Sequence, residues 1–368
     1  MESYDYIIIG AGISGCSIAY ELAKYKDNIL IVDKLTNIAQ GASGAAGAFL
    51  SPLLGKPNQF KDLVTQSLQY STDFYLKNFP DFIEQCGTTR IPQNQEDKKK
   101  FQSYIPFMDF EYTKENDGYF FKIGSVVDSF GVCNAMIESS KKKVKTKFDF
   151  EISTLKYEDE LWMLNDDIST TNIIFTTGSD IDLIDEFYLK MRAVWGMRID
   201  ISTTSSSLHN YHKACSISQS KQIDDTLNLV SIGATHHRNY EEILDIDANV
   251  QSLLQKANDI HLQRDVSVLK HYTGARACSV DYFPMVGSII NSKKTLDEFP
   301  YMINGTNVDA KRFTRYNNAY ILTGVGGRGF VLAPYLAKQL VEHIVHKKDI
   351  EDIITVDRLF KREVKRIK

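Results

Sequence analysis

The clearest apolar pattern lies at the start of the chain. Tyr6-Ile-Ile-Ile9 is a near-continuous apolar run. It breaks at Gly10-Ala-Gly-Ile-Ser-Gly15, continues with helical spacing to Leu22, and is followed by a second run, Ile29-Leu-Ile-Val32, that ends at Asp33. Continuous runs mark strands buried on both faces of a sheet, and the segment between them has helical period. The same period predicts a helix over 58–78 (Phe60, Leu63, Val64, Leu68, Phe74 and Tyr75); 121–140 reads as a strand end, a turn and an amphipathic helix (Val132, Met136 and Ile137), and further helices are expected at 248–258 and 333–346. Short apolar runs predict strands at 172–178 and 319–323, and at 192–201 and 227–235 in a second, antiparallel sheet. The polar stretch 88–124 reads as strands and loops, and 291–318 as a long polar insertion.

With 368 residues the chain exceeds one ordinary core, so two units are expected. The predicted class is α/β, α+β overall. A Rossmann-like dinucleotide-binding unit (1–55, 126–188 and 273–368) interleaves with a mostly antiparallel substrate unit (56–125 and 189–272). A composition 43% hydrophobic and 24% charged is that of a globular protein, and a net charge of −4 excludes indiscriminate coating of nucleic acid. Local basic runs remain at Lys98–Lys100, at 141–147 and near the C-terminus, each read first as solvated surface. The five cysteines, 16, 86, 133, 215 and 278, show no paired or zinc-like spacing. Reduced thiols, no metal, no leader, no membrane span and a cytoplasmic location are expected.

In the opening stretch Gly10 permits a tight turn, Gly12 admits a pyrophosphate to backbone amides, and Gly15 lets helix and sheet approach. Ala11, Ile13 and Ser14 complete the turn, whose helix N-terminus favours an anion. Asp33 stands where a carboxylate can accept ribose hydroxyls, with Lys34 beside it. This context selects a dinucleotide without saying which. Small residues at Ala42, Ser43, Gly44 and Gly47 form a loop that can hug a ligand, and Thr177-Gly178 closes a strand at the expected binding edge. The chain's second strand-turn-helix, with Gly326, Gly327, Arg328, Gly329 and Phe330, puts a guanidinium at its tip. Arg276 is a second cation, with Asp281 as its expected structural partner. His236 and His237 read as a surface turn. Trp162 and Trp195 offer stacking faces, although Trp195 fits a sheet interior better.

These segments, in this order, resemble the FAD-dependent amine oxidases of the D-amino-acid oxidase superfamily: GAGISG with Asp33, GASGAAG, Thr177-Gly178, GARACSVDYFPMVG and GVGGRGFVLAP. The resemblance implies non-covalent FAD, held by the glycine turns and by Ile152. Gly274 stands near the place where some relatives carry a flavin-linking cysteine. Within the superfamily, Phe49-Leu-Ser-Pro-Leu-Leu54, Asp281-Tyr-Phe-Pro-Met-Val-Gly287 and the insertion before Gly-Gly-Arg-Gly are similar to the oxidase half of the MnmC family of bifunctional tRNA-modifying enzymes. That similarity implies oxidation of the carboxymethylaminomethyl arm of a tRNA wobble uridine, giving an aminomethyl group and glyoxylate. Arg328 and then Arg276 would hold the carboxylate. A stand-alone oxidase without the methyltransferase half is expected, with a separate methyltransferase as an expected partner. A glycine- or sarcosine-type oxidase and a non-catalytic flavoprotein scaffold are the alternatives.

Overall fold

The computed structural model describes residues 2–237 and 245–367. Its first strand, Glu2–Ile9, lies inside a sheet of eight strands among the described residues, between parallel neighbours Ile29–Val32 and Ile168–Phe175. Val144–Lys147 extends the parallel set past Ile29–Val32. The outer edge of Ile168–Phe175 is divided between two partners. Antiparallel Leu161–Leu164 takes its first half and parallel Arg315–Thr323 its second.

Alternation of side chains explains why both opening runs are wholly apolar. Tyr6, Ile8, Ile29 and Ile31 join a core with the helices Ile13–Leu22, Ser129–Ser140, Gln59–Asn78 and Gly329–His346. Ile7, Ile9, Leu30 and Val32 face the other way, where Phe299, Met302, Val308 and Phe313 cover them together with Leu359 and Phe360. The stretch 291–318 is therefore no polar surface excursion. It folds as the helix Ser292–Glu298 and short turns that supply one lid of the sheet. Each large apolar side chain it buries contributes about 1.5–3 kcal/mol. Four apolar residues scattered among polar ones have no period, which is why the pattern concealed them.

Two further expectations shift. The last long helix starts at Gly329, not Ala333, and contains Pro334. Proline lacks the N–H that would bond the Phe330 carbonyl one turn earlier. The Tyr75 hydroxyl, from Gln59–Asn78, donates to that carbonyl at 3.0 Å instead, and Ser71 Oγ donates to the Val331 carbonyl at 2.7 Å. Within 88–124 a helix, Gln95–Tyr104, stands among the strands, because Asn94 accepts from Asp97 N–H and Phe101 is buried.

The second sheet has nine strands among the described residues and is antiparallel except where Asn210–His212 runs parallel to Thr88–Arg90. Its long members are Met191–Thr203 and Ser267–Ser279, paired along their length. Residue 273, where the sequence reading divides the units, lies inside the second of these. The Ile246–Asn258 helix covers this sheet through Leu253 and Ala257, against Met197, Ile199, Ile201 and Ile232.

Candidate functional site

Between the two sheets opens a cavity of about 1580 Å³. Small-ligand pockets span roughly 300–1,000 Å³, so a dinucleotide and a second molecule fit together. At one end the wall carries Asp33, Lys34, Glu151, Ile152, Asp180 and Asp182; at the other it carries Arg90, His212, His236, Arg276 and Arg328. Gly10, Gly12, Ile13, Ser14, Ala42, Ser43, Gly47, Thr177, Gly178 and Gly326 to Phe330 border it between or around these ends. Ala11, Gly15 and Gly44 do not. They support the wall from behind: Ala11 N–H donates to Asp33 Oδ2 at 2.7 Å, and side chains at Gly15 and Gly44 would collide with the Gly10 and Ala39 carbonyls.

The acidic end is built from backbone. Gly10 has φ +107°, and a Cβ there would lie 2.5 Å from the Thr176 carbonyl oxygen, so turn and neighbouring strand can meet only at glycine. Ile13–Leu22 begins here without a side-chain cap from Gly12, and Ser43 Oγ accepts the Ile13 N–H at 2.9 Å. The small-residue loop thus ties itself to the helix start, and the amides of Gly12 and Ser14 remain on the cavity wall. Asp33 is less free than its motif suggests, since Oδ1 also accepts from Leu35 N–H at 2.8 Å. Each carboxylate oxygen keeps one further lone pair for a ribose hydroxyl. Lys34 pairs with Asp180 at 2.7 Å.

The opposite end is built from side chains. The Arg328 guanidinium makes no ion pair or side-chain hydrogen bond among the described residues, and burial pushes its pKa down to about 10. Arg276 Nη1 donates to the Thr235 carbonyl at 3.1 Å, in space left by Gly196. The expected Arg276–Asp281 pair does not form. Asp281 is held instead by Arg358, Nε to Oδ2 and Nη2 to Oδ1, both at 3.0 Å. Arg276 and Asp281 are close in sequence, but the turn after Ser279 carries the acid toward the C-terminal helix Asp357–Val364. Burial lowers the His212 pKa well below its ordinary value, and Arg90 and Arg328 add to the effect, so this imidazole is neutral at pH 7.

Trp195 sits in Met191–Thr203 and also borders the cavity, as does the exposed His236. Trp162 is buried elsewhere, with Nε1 donating to the Asn317 carbonyl at 2.9 Å. His237 Nε2 bonds Asn249 Oδ1 at 2.7 Å. The lysine runs hold local partners, Lys98 with Asp117, Lys100 with Glu96, Lys141 with Glu138 and Lys143 with Asp27. Arg90 and His212 were missed. Neither stands in a motif, and only the parallel pairing of Thr88–Arg90 with Asn210–His212 joins them. Among the described residues no cluster suits a metal, and no helix is long and apolar enough to cross a membrane.

A model of the FAD dependent oxidoreductase family (DAO) matches residues 5–343. A relative in Legionella pneumophila (strain Corby), "tRNA 5-methylaminomethyl-2-thiouridine biosynthesis bifunctional protein MnmC", is 25% identical over 93% of this chain. One of the same name in Campylobacter fetus is 24% identical over 92%. The chain spans only 54% and 56% of their respective lengths. In fold it is similar to glycine oxidase from Geobacillus kaustophilus (TM-score 0.72, 15% identity, covering 95% of this chain and 96% of that one). It is also similar to L-proline dehydrogenase from P. horikoshii (TM-score 0.74, 16% identity, covering 98% and 99%). The cavity suits the family's cofactor: a glycine-rich wall closed to a side chain at Gly10, helix-start amides and a carboxylate at one end, and space beyond for a substrate.

Proposed function

The chain belongs to the FAD dependent oxidoreductase family, and from that premise we propose that it is an oxidase of modified tRNA. Its substrate is the 5-carboxymethylaminomethyl(-2-thio)uridine of the wobble position, and its products are 5-aminomethyluridine and glyoxylate. In balance, –NH–CH2–COO⁻ with dioxygen and water gives –NH2, glyoxylate and hydrogen peroxide. The Gly10–Gly15 turn, Asp33, Ser43, Thr177-Gly178 and the Gly326–Phe330 loop would hold FAD without a covalent bond. When bound, FAD supplies the two-electron acceptor. The units 1–55, 126–188 and 273–368 carry the cofactor, and 56–125 with 189–272 the substrate. The cytoplasm is the proposed location, with a separate methyltransferase as partner.

This chain's own residues orient the arm and set its charge. Arg328 is the residue placed on the carboxylate, because a guanidinium can bind both oxygens. Phe49, Phe60 and Phe283 line the cavity and would keep water from the reacting carbon. The arginines also disfavour a further positive charge nearby, so they hold the substrate amine neutral, the form from which it is oxidised. No protein base is needed.

The observation that carries this reading is Arg328, a cation on the cavity wall with no protein anion among the described residues. The name shared by the relatives that match along nearly the whole chain directs it to tRNA. A free amine with the same N–CH2–carboxylate group is the second reading, favoured by the fold likeness to glycine oxidase. Nucleoside mass spectrometry of tRNA treated with the FAD-loaded protein tests the choice. The carboxymethylaminomethyl nucleoside is expected to turn into the aminomethyl one. Unchanged tRNA beside consumed glycine supports the second reading instead.

A further inference from the structure

Arg90 has an incomplete environment at the substrate end. Nη1 donates to the Pro52 carbonyl at 2.7 Å and reaches Ser51 Oγ at 3.5 Å. Nε is buried with no hydrogen-bond partner. Among the described residues no carboxylate forms an ion pair with Arg90, Arg276 or Arg328. Asp97 acts on Arg90 only through its field, and one of its oxygens is taken by the Gln93 N–H. A guanidinium desolvated in this way is unfavourable unless an anion completes it.

Arg90 and Arg328 border one cavity and lie near enough for one charge to act on the other. Burial and then Arg328 push the Arg90 pKa down to about 9. His212, the register partner of Arg90, stays neutral and offers no competing charge. Two mutually repelling cations beside one space are relieved by a single anion placed between them. Arg276 is turned aside onto the Thr235 carbonyl.

Building on the reading of Arg328 as the carboxylate-binding cation, we propose that Arg90 and Arg328 grip one substrate carboxylate between them, and that Arg90 thereby sets specificity for substrates bearing that group. Arg328 ends the glycine turn Gly326–Arg328, just before the helix Gly329–His346. Arg90 comes from the other sheet, so the grip also fixes the arm between the two sheets.

The test titrates oxidised, FAD-loaded protein with acetate and reads the change in the flavin absorption spectrum. Losing a charged hydrogen-bonding group weakens binding by about 10- to 100-fold, so Arg90→Met and Arg328→Met should each show that loss. Arg90→Lys should recover part of it, because the charge returns without the planar fork. The double variant should bind no more than about threefold worse than the weaker single one, since groups sharing a ligand are not additive. Acetate should raise the thermal midpoint of the wild type and not that of Arg90→Met.

Unchanged acetate affinity in Arg90→Met, with a lower midpoint, would make Arg90 a strap for Pro52 and overturn the proposal. Unchanged acetate affinity with weakened inorganic phosphate binding would overturn it in favour of a phosphate contact. If the acetate results hold while wild-type protein leaves modified tRNA intact, the grip stands and only the tRNA reading falls.

Discussion

At the Asp33 end of the cavity Asp33, Ser43 and Lys34 are bonded to other protein groups, whereas at the other end Arg328 has no ion pair or side-chain hydrogen bond among the described residues. Asp33 accepts from Ala11 and Leu35, Ser43 accepts from Ile13, and Lys34 pairs with Asp180. Arg328 has no side-chain partner among the described residues, and Arg90 and Arg276 rest mainly on carbonyls. The first end is therefore shaped before any ligand arrives, through backbone that cannot move without disturbing a parallel sheet. The second end is shaped by charges that an anion must complete. A permanent cofactor suits the first arrangement, and an exchanging substrate suits the second.

The strongest way to break this contrast is Gly10→Val. The residue would need a positive φ and would meet the Thr176 carbonyl, a combined cost of about 3 kcal/mol or more. The purified variant is expected to be colourless, with a lower thermal midpoint. A yellow, stable Gly10→Val protein would show that the acidic end is not rigid.

Arg328→Met acts at the other end and should leave the yellow colour intact. Flavin reduction by substrate should slow by about 100-fold, the value of a charged contact made to one group. Loss of FAD instead would move Arg328 to the cofactor side of the comparison.

Asp281→Asn sharpens the contrast through an acid on the cavity wall that already has its cation. Burial alone would raise the Asp281 pKa, but the Arg358 hydrogen bonds and charge outweigh it and hold the carboxyl below its ordinary range. A carboxylate depressed in this way stabilises the fold above about pH 4, and the stabilisation is lost as pH falls through the folded value. Urea unfolding should show the variant about 2 kcal/mol less stable at pH 7, discounted from a fully buried pair because both side chains keep some exposure. The gap should close toward pH 3. A gap that widens in acid would mean that Asp281 is not held as a carboxylate.

The acidic end was legible in the sequence because backbone sites need glycine at fixed spacing between apolar runs. Gly10, Gly12, Ser43 and Asp33 could be placed on the cavity that way. Asp33 also accepts the N–H groups of Ala11 and Leu35, and Ser43 that of Ile13, a second role that the spacing does not encode. The cationic end was half legible: Arg328 followed a second glycine turn, but Arg90 came from a polar stretch and met the cavity only through a pairing distant in sequence. The Arg276–Asp281 expectation failed because nearness along the chain says little once a turn intervenes. The cover supplied by Phe299, Met302, Val308 and Phe313 was hidden because it packs from short turns with no period.

Oxidation of the tRNA arm is tested most directly by anaerobic reduction of the bound flavin, followed by absorbance with each substrate in turn. Rapid bleaching is expected with tRNA carrying carboxymethylaminomethyluridine, little with free glycine or sarcosine, and none with tRNA lacking the arm. Rapid bleaching by glycine or sarcosine with none by the modified tRNA would contradict oxidation of the arm.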